Sequence, residues 1–453
     1  MGYMYKIHRW VSTICAVFFL LLCATGLILL FRQEIFSWNQ ADSGTVMSME
    51  KEPAQSFDYR KGWAGLEAGQ AAVSSAYAAQ RIQAVFVQPE DGTLLFRIQD
   101  KNSHEAVRTM MRMGGRQISF DPATGHMMEM TYGTHVRYPA VSSFVHTIHV
   151  LHTRLGLENG GVALLALVCT LILVSLLSGI ILYGPFMKGS SFGEIRSFPA
   201  HRKWMDIHKM TGMLTGMWAV VLTASGILIL FFSAAYRDYT ASVSREAQAH
   251  FASAGETGST LSLTSAFQAV QEQFPHDYIL SVQLPSGKSS AYSFYMTPAS
   301  DHPDTFFGQP VLAAGTAGGT ADIYTRPVPW YIRASALGVD VHIHNHGTPL
   351  LKWIWAFLTV TTMVMIVSAF ISFWKKKLPS GRGTHQAVRR RRRNRKSSVW
   401  LVPAGISLLS LAGLILPLQG EAGSWAGAAA FVTAGIWAVV CVWHEKKQEK
   451  LSA

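Results

Sequence analysis

Long runs of apolar residues dominate the hydropathy pattern of this chain. Each run lacks charged residues and is close to the roughly 20 residues that a helix needs to cross a bilayer. The runs are residues 11–31, 162–186, 211–235, 353–374, 399–418 and 425–443. The pattern therefore predicts a mainly α-helical, polytopic membrane protein with six transmembrane helices.

Two hydrophilic stretches, residues 36–150 and 236–341, separate the first four runs. In the first stretch, "AYAAQRIQAVFVQPEDGTLLFRIQD" predicts a helix and two strands with a turn at residues 90–92. The segment "RQISFDPATGHMMEM" predicts two further strands joined by a Pro/Gly turn. The stretch is therefore predicted to form a small α+β domain.

The second hydrophilic stretch has a similar pattern. "LTSAFQAVQEQFP" has helical periodicity with Thr264 as the predicted N-cap, and "YILSVQLPSGKSSAYSFYM" alternates like a β-hairpin. "FFGQPVLAAGTAGGTADIYT" is rich in Gly and Ala and is predicted to be a loop. A second small α+β domain is expected here.

The distribution of charge predicts the topology. The formal net charge is +12, and residues 1–10, 184–209, 375–398 and 444–453 hold 21 of the 39 Lys and Arg but only 4 of the 27 Asp and Glu. If the chain crosses six times, these segments share one side, and the positive-inside bias places both termini in the cytoplasm. The run "RRRRRNRK" (389–396) is interpreted as a topology determinant or lipid-headgroup contact, not as a nucleic-acid site.

The predicted organisation alternates membrane and soluble segments. In chain order it comprises transmembrane helix 1 (1–35), periplasmic domain 1 (36–150), transmembrane helix 2 (151–187), a cytoplasmic loop (188–209), transmembrane helix 3 (210–235), periplasmic domain 2 (236–341), transmembrane helix 4 (342–374), a basic cytoplasmic loop (375–398), transmembrane helices 5 and 6 (399–443) and a cytoplasmic tail (444–453). The first run is expected to be an uncleaved span because it is long for a signal peptide and no A-x-A site follows closely. All four cysteines fall within apolar runs, so neither disulfides nor a thiolate metal site is expected.

The chain contains an internal repeat. At an offset of 200, "IHRWVSTICAVFFLLLCATGLILLF" (7–31) aligns without a gap with "IHKMTGMLTGMWAVVLTASGILILF" (207–231), so that His8 aligns with His208. At an offset of 190, "LVSLLSG" (173–179) aligns with "MVMIVSA" (363–369), and His152 aligns with His342. The two halves therefore have the same orientation and form a duplicated four-helix core, with two extra C-terminal helices. Small residues in these helices, Gly26, Gly226, Gly179 and Ala369, are expected to let them approach closely.

The repeat predicts two pairs of histidines facing each other across the core. His8 would meet His208 at the cytoplasmic side, and His152 would meet His342 at the outer side. An unsatisfied ring buried in a membrane costs several kcal/mol, so each ring needs a partner. Two opposed neutral imidazoles are typical axial ligands of b-type haem, and no C-x-x-C-H motif for covalent attachment occurs. The hypothesis is two haem b groups that form an electron path across the bilayer.

Neighbouring histidines leave alternatives open. His146, His149 and His152 recur every third residue, so any of the three could be the ligand on that side. The same holds for His342, His344 and His346 in "HIHNH". If that segment is extended, alternate histidines share one side and could bind a bare transition-metal ion. Those neighbours that do not ligate haem are candidates for contact with a substrate or a metal.

Several motifs together resemble the PepSY-associated transmembrane family. They are "IHRW", "LHTRLGLENGG", "RKWMDIHKMTGM", "VHIHNHGTPLLKWIW" and "ISFDPATG", and the resemblance covers about residues 1–377. The family pattern H-x-G-x-F-G-G departs here at His344, His346 and Thr348. The family comprises bacterial inner-membrane proteins, often iron-regulated, and one branch contains haem-dependent ferric-siderophore reductases. The resemblance implies that His152 and His342 are the outer haem ligands, and His8 and His208 the inner ones.

These observations favour a di-haem reductase acting on a periplasmic ferric siderophore or a similar Fe(III) chelate. No strand-GxGxxG-helix unit occurs in the short cytoplasmic loops, so electrons are expected from membrane quinol or a separate cytosolic reductase. The alternative is a non-enzymatic PepSY sensor or chaperone that binds peptide, protein or a metal ion in the periplasm. An ion-translocation path is disfavoured because only scattered Ser, Thr and Cys interrupt the spans.

Overall fold

The structure is a computed structural model. It describes residues 2–32, 34–35, 63–87, 92–100, 116–131, 139–157, 160–187, 190–196, 199–253, 261–285, 291–298, 308–316, 318–343, 348–377, 400–419 and 421–451. The basic run 389–396, the turn residues Glu90 and Asp91, and both His344 and His346 lie outside the described residues.

Ten α-helices occur in the described part of the chain. They are α1 (Gly2–Leu30), α2 (Leu66–Ala76), α3 (Pro139–Arg154), α4 (Gly161–Phe186), α5 (Ala200–Ser253), α6 (Leu263–Gln273), α7 (Trp330–Ile343), α8 (Pro349–Lys377), α9 (Leu401–Ile415) and α10 (Glu421–Leu451). Six of them, α1, α4, α5, α8, α9 and α10, are long and apolar enough to cross a membrane, which confirms the prediction of six spans. The protein is therefore a multi-pass membrane protein.

The described chain divides into two compact units. The membrane unit comprises Met1–Gln33, Thr147–Leu230 and Gly338–Ala453, and the sheet unit comprises Glu34–His146 and Phe231–Leu337. Within the membrane unit, α1 packs on α4 and α8, and α10 packs on α9 and α8. The four histidines that the internal repeat aligns in pairs, His8 with His208 and His152 with His342, all belong to the membrane unit.

A single eight-stranded antiparallel sheet forms the centre of the sheet unit. Its strands are β1 (Gln80–Val87), β2 (Leu94–Asp100), β3 (Arg116–Phe120), β4 (Met127–Thr131), β5 (Asp277–Gln283), β6 (Tyr292–Pro298), β7 (Gln309–Gly315) and β8 (Ala321–Thr325). Their order is β4-β3-β2-β1-β5-β6-β7-β8, with Val85 opposite Val282 where the halves join. The two α+β domains predicted from the sequence therefore share one sheet. Each half alone would expose an unpaired strand edge, and the β1–β5 pairing removes both edges.

Both faces of this sheet carry buried apolar residues. On one face, α2 and α6 cover a core that includes Val85, Phe96, Val282 and Phe294. On the other face, the last part of α5 packs against β6 and β7. Its buried residues recur at helical spacing, and they are Phe232, Tyr236, Tyr239, Val243, Ala247 and Phe251. This apolar stripe explains why α5 continues for 54 residues, well beyond the predicted span 211–235.

Two local predictions in the second hydrophilic stretch were wrong. The Gly- and Ala-rich segment contains strands β7 and β8 instead of a loop, because β7 is buried on both faces and small residues such as Ala313 and Ala314 fit there. The N-cap of α6 is Ser262 and not Thr264, since the Ser262 hydroxyl accepts a hydrogen bond from the Ser265 amide.

Candidate functional site

Four histidines in the membrane unit are each fixed at Nδ1 by a neighbouring helix. We call His8 and His208 the first pair, and His152 and His342 the second pair. His8 and His208 lie near the N-terminal ends of α1 and α5, whereas His152 and His342 lie at the C-terminal ends of the short helices α3 and α7. Each ring is half-buried.

The first pair is anchored by α4 and α8. The Nδ1 atom of His8 lies 3.0 Å from the carbonyl oxygen of Ser175 and 3.1 Å from the hydroxyl oxygen of Ser178. The Nδ1 atom of His208 lies 2.9 Å from the carbonyl oxygen of Met365.

The second pair is anchored by α1 and α5 in the same manner. The Nδ1 atom of His342 lies 2.9 Å from the carbonyl oxygen of Leu222 and 3.3 Å from the Ser225 hydroxyl. The Nδ1 atom of His152 lies 2.9 Å from the Thr25 hydroxyl, and the imidazole also bonds the backbone of Leu22. The long helices α1 and α5 therefore each carry one histidine and anchor another.

The direction of these bonds fixes the tautomer of the rings. A carbonyl oxygen only accepts hydrogen bonds, so Nδ1 must donate its N–H. The anchoring hydroxyls already donate to backbone carbonyls: Thr25 to Leu21, Ser178 to Ser175 and Ser225 to Leu222. They must therefore accept from Nδ1 as well. In a neutral ring of this tautomer the lone pair is on Nε2, which is the atom that can bind a metal. Within the described part of the chain, no hydrogen bond reaches Nε2 of these four rings.

Three glycines allow the rings to lie against the anchoring helices. A Cβ atom at Gly26 would lie 3.1 Å from Cε1 of His152, and one at Gly226 would lie 3.0 Å from Cε1 of His342. At Gly179 it would lie 3.0 Å from Cε1 of His8. These positions, which the sequence suggested for helix–helix approach, instead contact imidazole rings.

The anchors follow the same two registers as the internal repeat. Leu22 and Leu222 are 200 residues apart, as are His8 and His208, while Ser175 and Met365 are 190 residues apart, as are His152 and His342. In each helix, a hydroxyl-bearing residue follows the anchor by three positions and a small residue by four. These hydroxyl–small dipeptides are Thr25–Gly26, Ser225–Gly226, Ser178–Gly179 and Ser368–Ala369. The duplication therefore extends to the hydrogen bonds that hold the rings.

The rings of the second pair are spaced as two ligands of one metal ion would be. An imidazole nitrogen binds a transition metal at about 2 Å and the ring centre lies about 1 Å behind it, so two rings on opposite sides of one ion have centres roughly 6 Å apart. The ring centres of His152 and His342 are 6.1 Å apart, with the planes inclined by 50°.

The two pairs lie at different depths along the bundle. The histidine of the first pair on each long helix precedes the anchor of the second pair by 14 residues, from His8 to Leu22 and from His208 to Leu222. At 1.5 Å per residue this is about 21 Å along the helix axis. This separation fits within the roughly 30 Å hydrocarbon core of a bilayer, so both pairs can lie within the membrane at different depths.

The other candidate histidines occupy different places. His146 and His149 are exposed on α3, so among the three histidines of that helix the structure brings His152 to the site. His344 and His346 are outside the described residues. Among the residues that the structure describes, no group of three or more His, Cys, Asp or Glu side chains could hold a metal ion.

The sequence interpretation did not identify the anchoring groups. The carbonyls of Leu22, Ser175, Leu222 and Met365 have no signature, because every residue carries one. The hydroxyls of Thr25, Ser178 and Ser225 did have a signal, since a hydroxyl–small dipeptide recurs at equivalent positions of all four core helices. Comparison of the four helices at the offsets of 200 and 190 residues would have identified this dipeptide.

Comparison with known proteins assigns the chain to a family. The family model for the PepSY-associated TM region matches residues 5–376, which include all four anchored histidines and exclude α9 and α10. No curated protein matches the chain. Because the matched region covers most of the 453 residues, the protein belongs to the PepSY-associated TM region family.

Proposed function

We propose that the protein is a di-haem transmembrane reductase of the bacterial inner membrane, with a ferric siderophore or similar Fe(III) chelate as its substrate. The observation that carries the proposal is the second pair, whose ring centres are 6.1 Å apart while both Nδ1 atoms are bonded to an anchoring helix. In both rings Nδ1 is occupied by this bond, so Nε2 is the atom that would bind a metal ion.

The number of ligands favours haem over a bare ion. Structural zinc sites have four protein ligands and catalytic zinc sites three. Each pair here supplies two imidazoles, and no larger group of ligands occurs in the described part of the chain. A porphyrin brings four nitrogen ligands of its own, so the two histidines of each pair would complete the ligand set of its iron.

When bound, haem b supplies one-electron redox chemistry. The chain's own residues hold the four histidines that would bind it in one tautomer and one orientation. The Nδ1 hydrogens are accepted by the carbonyl oxygens of Ser175, Met365 and Leu222 and by the Thr25 hydroxyl, and this outer contact makes each imidazole a better ligand. Gly26, Gly179 and Gly226 leave room for the rings.

The direction of transfer follows from the charge distribution. The basic ends and loops favour a cytoplasmic position for both termini, which would put the first pair toward the cytoplasm and the second pair toward the periplasm. Electrons from quinol or a cytosolic reductase would reach the second pair and then the chelate. Reduction of Fe(III) to Fe(II) weakens its binding to hard oxygen ligands and releases the iron.

Reduction of an external chelate tests this function. The purified full chain is reconstituted into vesicles and reduced, and Fe(II) released from an added ferric siderophore is followed with a chromogenic Fe(II) chelator. We expect release by the wild type and by His149→Ala, whose side chain is exposed, but not by His152→Ala or His342→Ala. A protein that lacks haem, or equal release by all four proteins, would contradict the proposal and favour the PepSY sensor or chaperone.

A further inference from the structure

An apolar cleft lies inside the membrane unit where α5 and α8 meet the two C-terminal helices. Its volume is about 280 Å³, and its lining includes Leu214, Trp353, Phe357, Ser410, Phe431 and Gly435. Trp353 and Phe357 are exposed at 65% and 61%, so the cleft opens toward the lipid. Helices α9 and α10, which the family match does not include, form one wall.

The size and chemistry of the cleft suit a substituted six-membered ring. An apolar cavity of about 150 Å³ is enough for a benzene molecule, so 280 Å³ also has room for substituents and the start of a tail. Aromatic side chains in the lining can stack on a planar ring. The Ser410 hydroxyl and the Trp353 indole N–H are the polar side-chain groups of the lining, and either can donate a hydrogen bond to a ring oxygen.

A continuous aromatic cluster connects the cleft to the second pair. The ring of Phe431 lies 5.6 Å from that of Trp355, which lies 6.4 Å from that of Trp218, both edge to face. Leu222 packs against the same cluster, and its carbonyl oxygen accepts the hydrogen bond from His342. The wall of the cleft is therefore in packed contact with the helix turn that holds a proposed haem ligand.

We propose that this cleft binds a membrane isoprenoid quinol and that this quinol is the electron donor of the protein. The inference rests on the proposed function and adds the donor, its binding site and a role for α9 and α10. The isoprenoid tail would extend into lipid past Trp353 and Phe357. The chain needs no nucleotide-binding fold for such a donor, because quinol reaches the cleft through the bilayer.

The redox balance of the step is complete with quinol as the named reductant. Oxidation of one quinol to quinone breaks two O–H bonds and releases two electrons and two protons. The two electrons reduce two Fe(III) ions of the chelate to Fe(II), one after the other, and the two protons pass to water.

A variant that fills the cleft tests the inference. Gly435→Phe places a ring at the wall of the cleft, and a Cβ atom at this position meets no heavy atom within 4 Å, so the new side chain begins in open space. Val439→Phe is the matched control on the same helix, because Val439 is 68% exposed and outside the lining. The probe is decylubiquinone, whose binding to the full chain in nanodiscs is measured by quenching of tryptophan fluorescence. Haem reduction by decylubiquinol is recorded separately, with dithionite as the reference reductant.

The two readouts separate this inference from the function on which it rests. We expect Gly435→Phe to weaken decylubiquinone binding at least tenfold and to abolish reduction by the quinol, while the dithionite spectrum and Val439→Phe are unchanged. Equal binding by both variants, or haem that dithionite reduces but decylubiquinol does not, would overturn the quinol site and leave the reductase proposal intact. Absence of haem would overturn the reductase proposal itself.

Discussion

The two histidine pairs are anchored by the same kinds of groups, but the rings and their anchors lie on different helices. The first pair has its rings on the spans α1 and α5 and its anchors on α4 and α8, whereas the second pair has its rings on the short helices α3 and α7 and its anchors on α1 and α5. The spans α1 and α5 therefore take part in both sites. A shift of either span would disturb both, while a shift of α3 or α7 would disturb only the second.

One of the four rings also differs from the other three. His8, His152 and His342 each bond a hydroxyl on the anchoring helix, and each lies against a glycine. At the equivalent positions for His208, Ser368 donates to the Met365 carbonyl and Ala369 replaces glycine. The backbone carbonyl is thus common to the anchors, and the hydroxyl is an addition at three of them.

The largest effect is expected from removing a proposed haem ligand of the second pair. His152→Ala or His342→Ala should lower the haem content from two to one per chain, because α1 and α5 still carry the first pair. The measurement is the pyridine haemochrome assay against protein concentration. His149→Ala is the control on the same helix and should keep two. Loss of haem from His149→Ala but not from His152→Ala would show that the wrong histidine has been assigned.

A large loss of stability, which begins next to the first pair, is expected from Arg196→Ala. Asp206, two residues before His208, is 6% exposed, and its carboxylate accepts hydrogen bonds from the Arg196 backbone and guanidinium. Removing the guanidinium leaves a poorly compensated buried charge and should cost about 2–3 kcal/mol of stability, because Lys209 compensates only in part. Thermal unfolding in detergent measures it, with the exposed Arg202→Ala as the control. Equal unfolding temperatures for Arg196→Ala and Arg202→Ala would show that the ion pair between Arg196 and Asp206 does not stabilise the protein.

A smaller effect is expected where the rings contact glycine. In Gly26→Ala or Gly226→Ala, the new methyl group would lie 3.0–3.1 Å from a ring carbon, and the ring must move by a few tenths of an ångström. Overpacking of this kind costs about 1–3 kcal/mol and should weaken haem at the second site. Gly216→Ala on α5 meets only Ile180 at 3.9 Å and is the control. The measurement is the rate at which haem transfers from each variant to apomyoglobin. Equal rates for all three variants would show that the close contact between glycine and ring does not affect haem binding.

The smallest effect separates the two rings of the first pair. Ser178→Ala removes a bond to His8 but leaves the Ser175 carbonyl, so haem affinity should fall by about tenfold, the lower limit for loss of an outer contact. Ser368→Ala should have no effect, because that hydroxyl does not bond His208. Titration of the apoprotein with haem measures both. Equal losses would show that the two serines act only through their own helices.

Features with a local signal were predictable from sequence. Apolar runs gave the six spans, and the gapless repeat gave the relation of His8 to His208. Choosing His152 among His146, His149 and His152 needed the structure, because spacing along α3 does not say which side of the helix meets α1. The strands β7 and β8 were missed since small buried residues lack the alternation of a half-exposed strand.

The joined sheet could not be predicted for a different reason. Pairing of β1 with β5 links residues about 200 positions apart, and neither strand differs in composition from one at a free edge. The same limit applies to the anchoring carbonyls, because every residue has a backbone carbonyl and the residue type does not show which of them binds a ring. Both features follow from three-dimensional proximity alone.

The most direct test of the central claim is low-temperature electron paramagnetic resonance of the oxidised, purified full chain, with haem quantified in the same sample. We predict two haem b per chain, both low-spin with two histidine ligands, and loss of one of the two signals in His342→Ala. A chain without haem, or a single high-spin haem that persists in His342→Ala, would contradict the account.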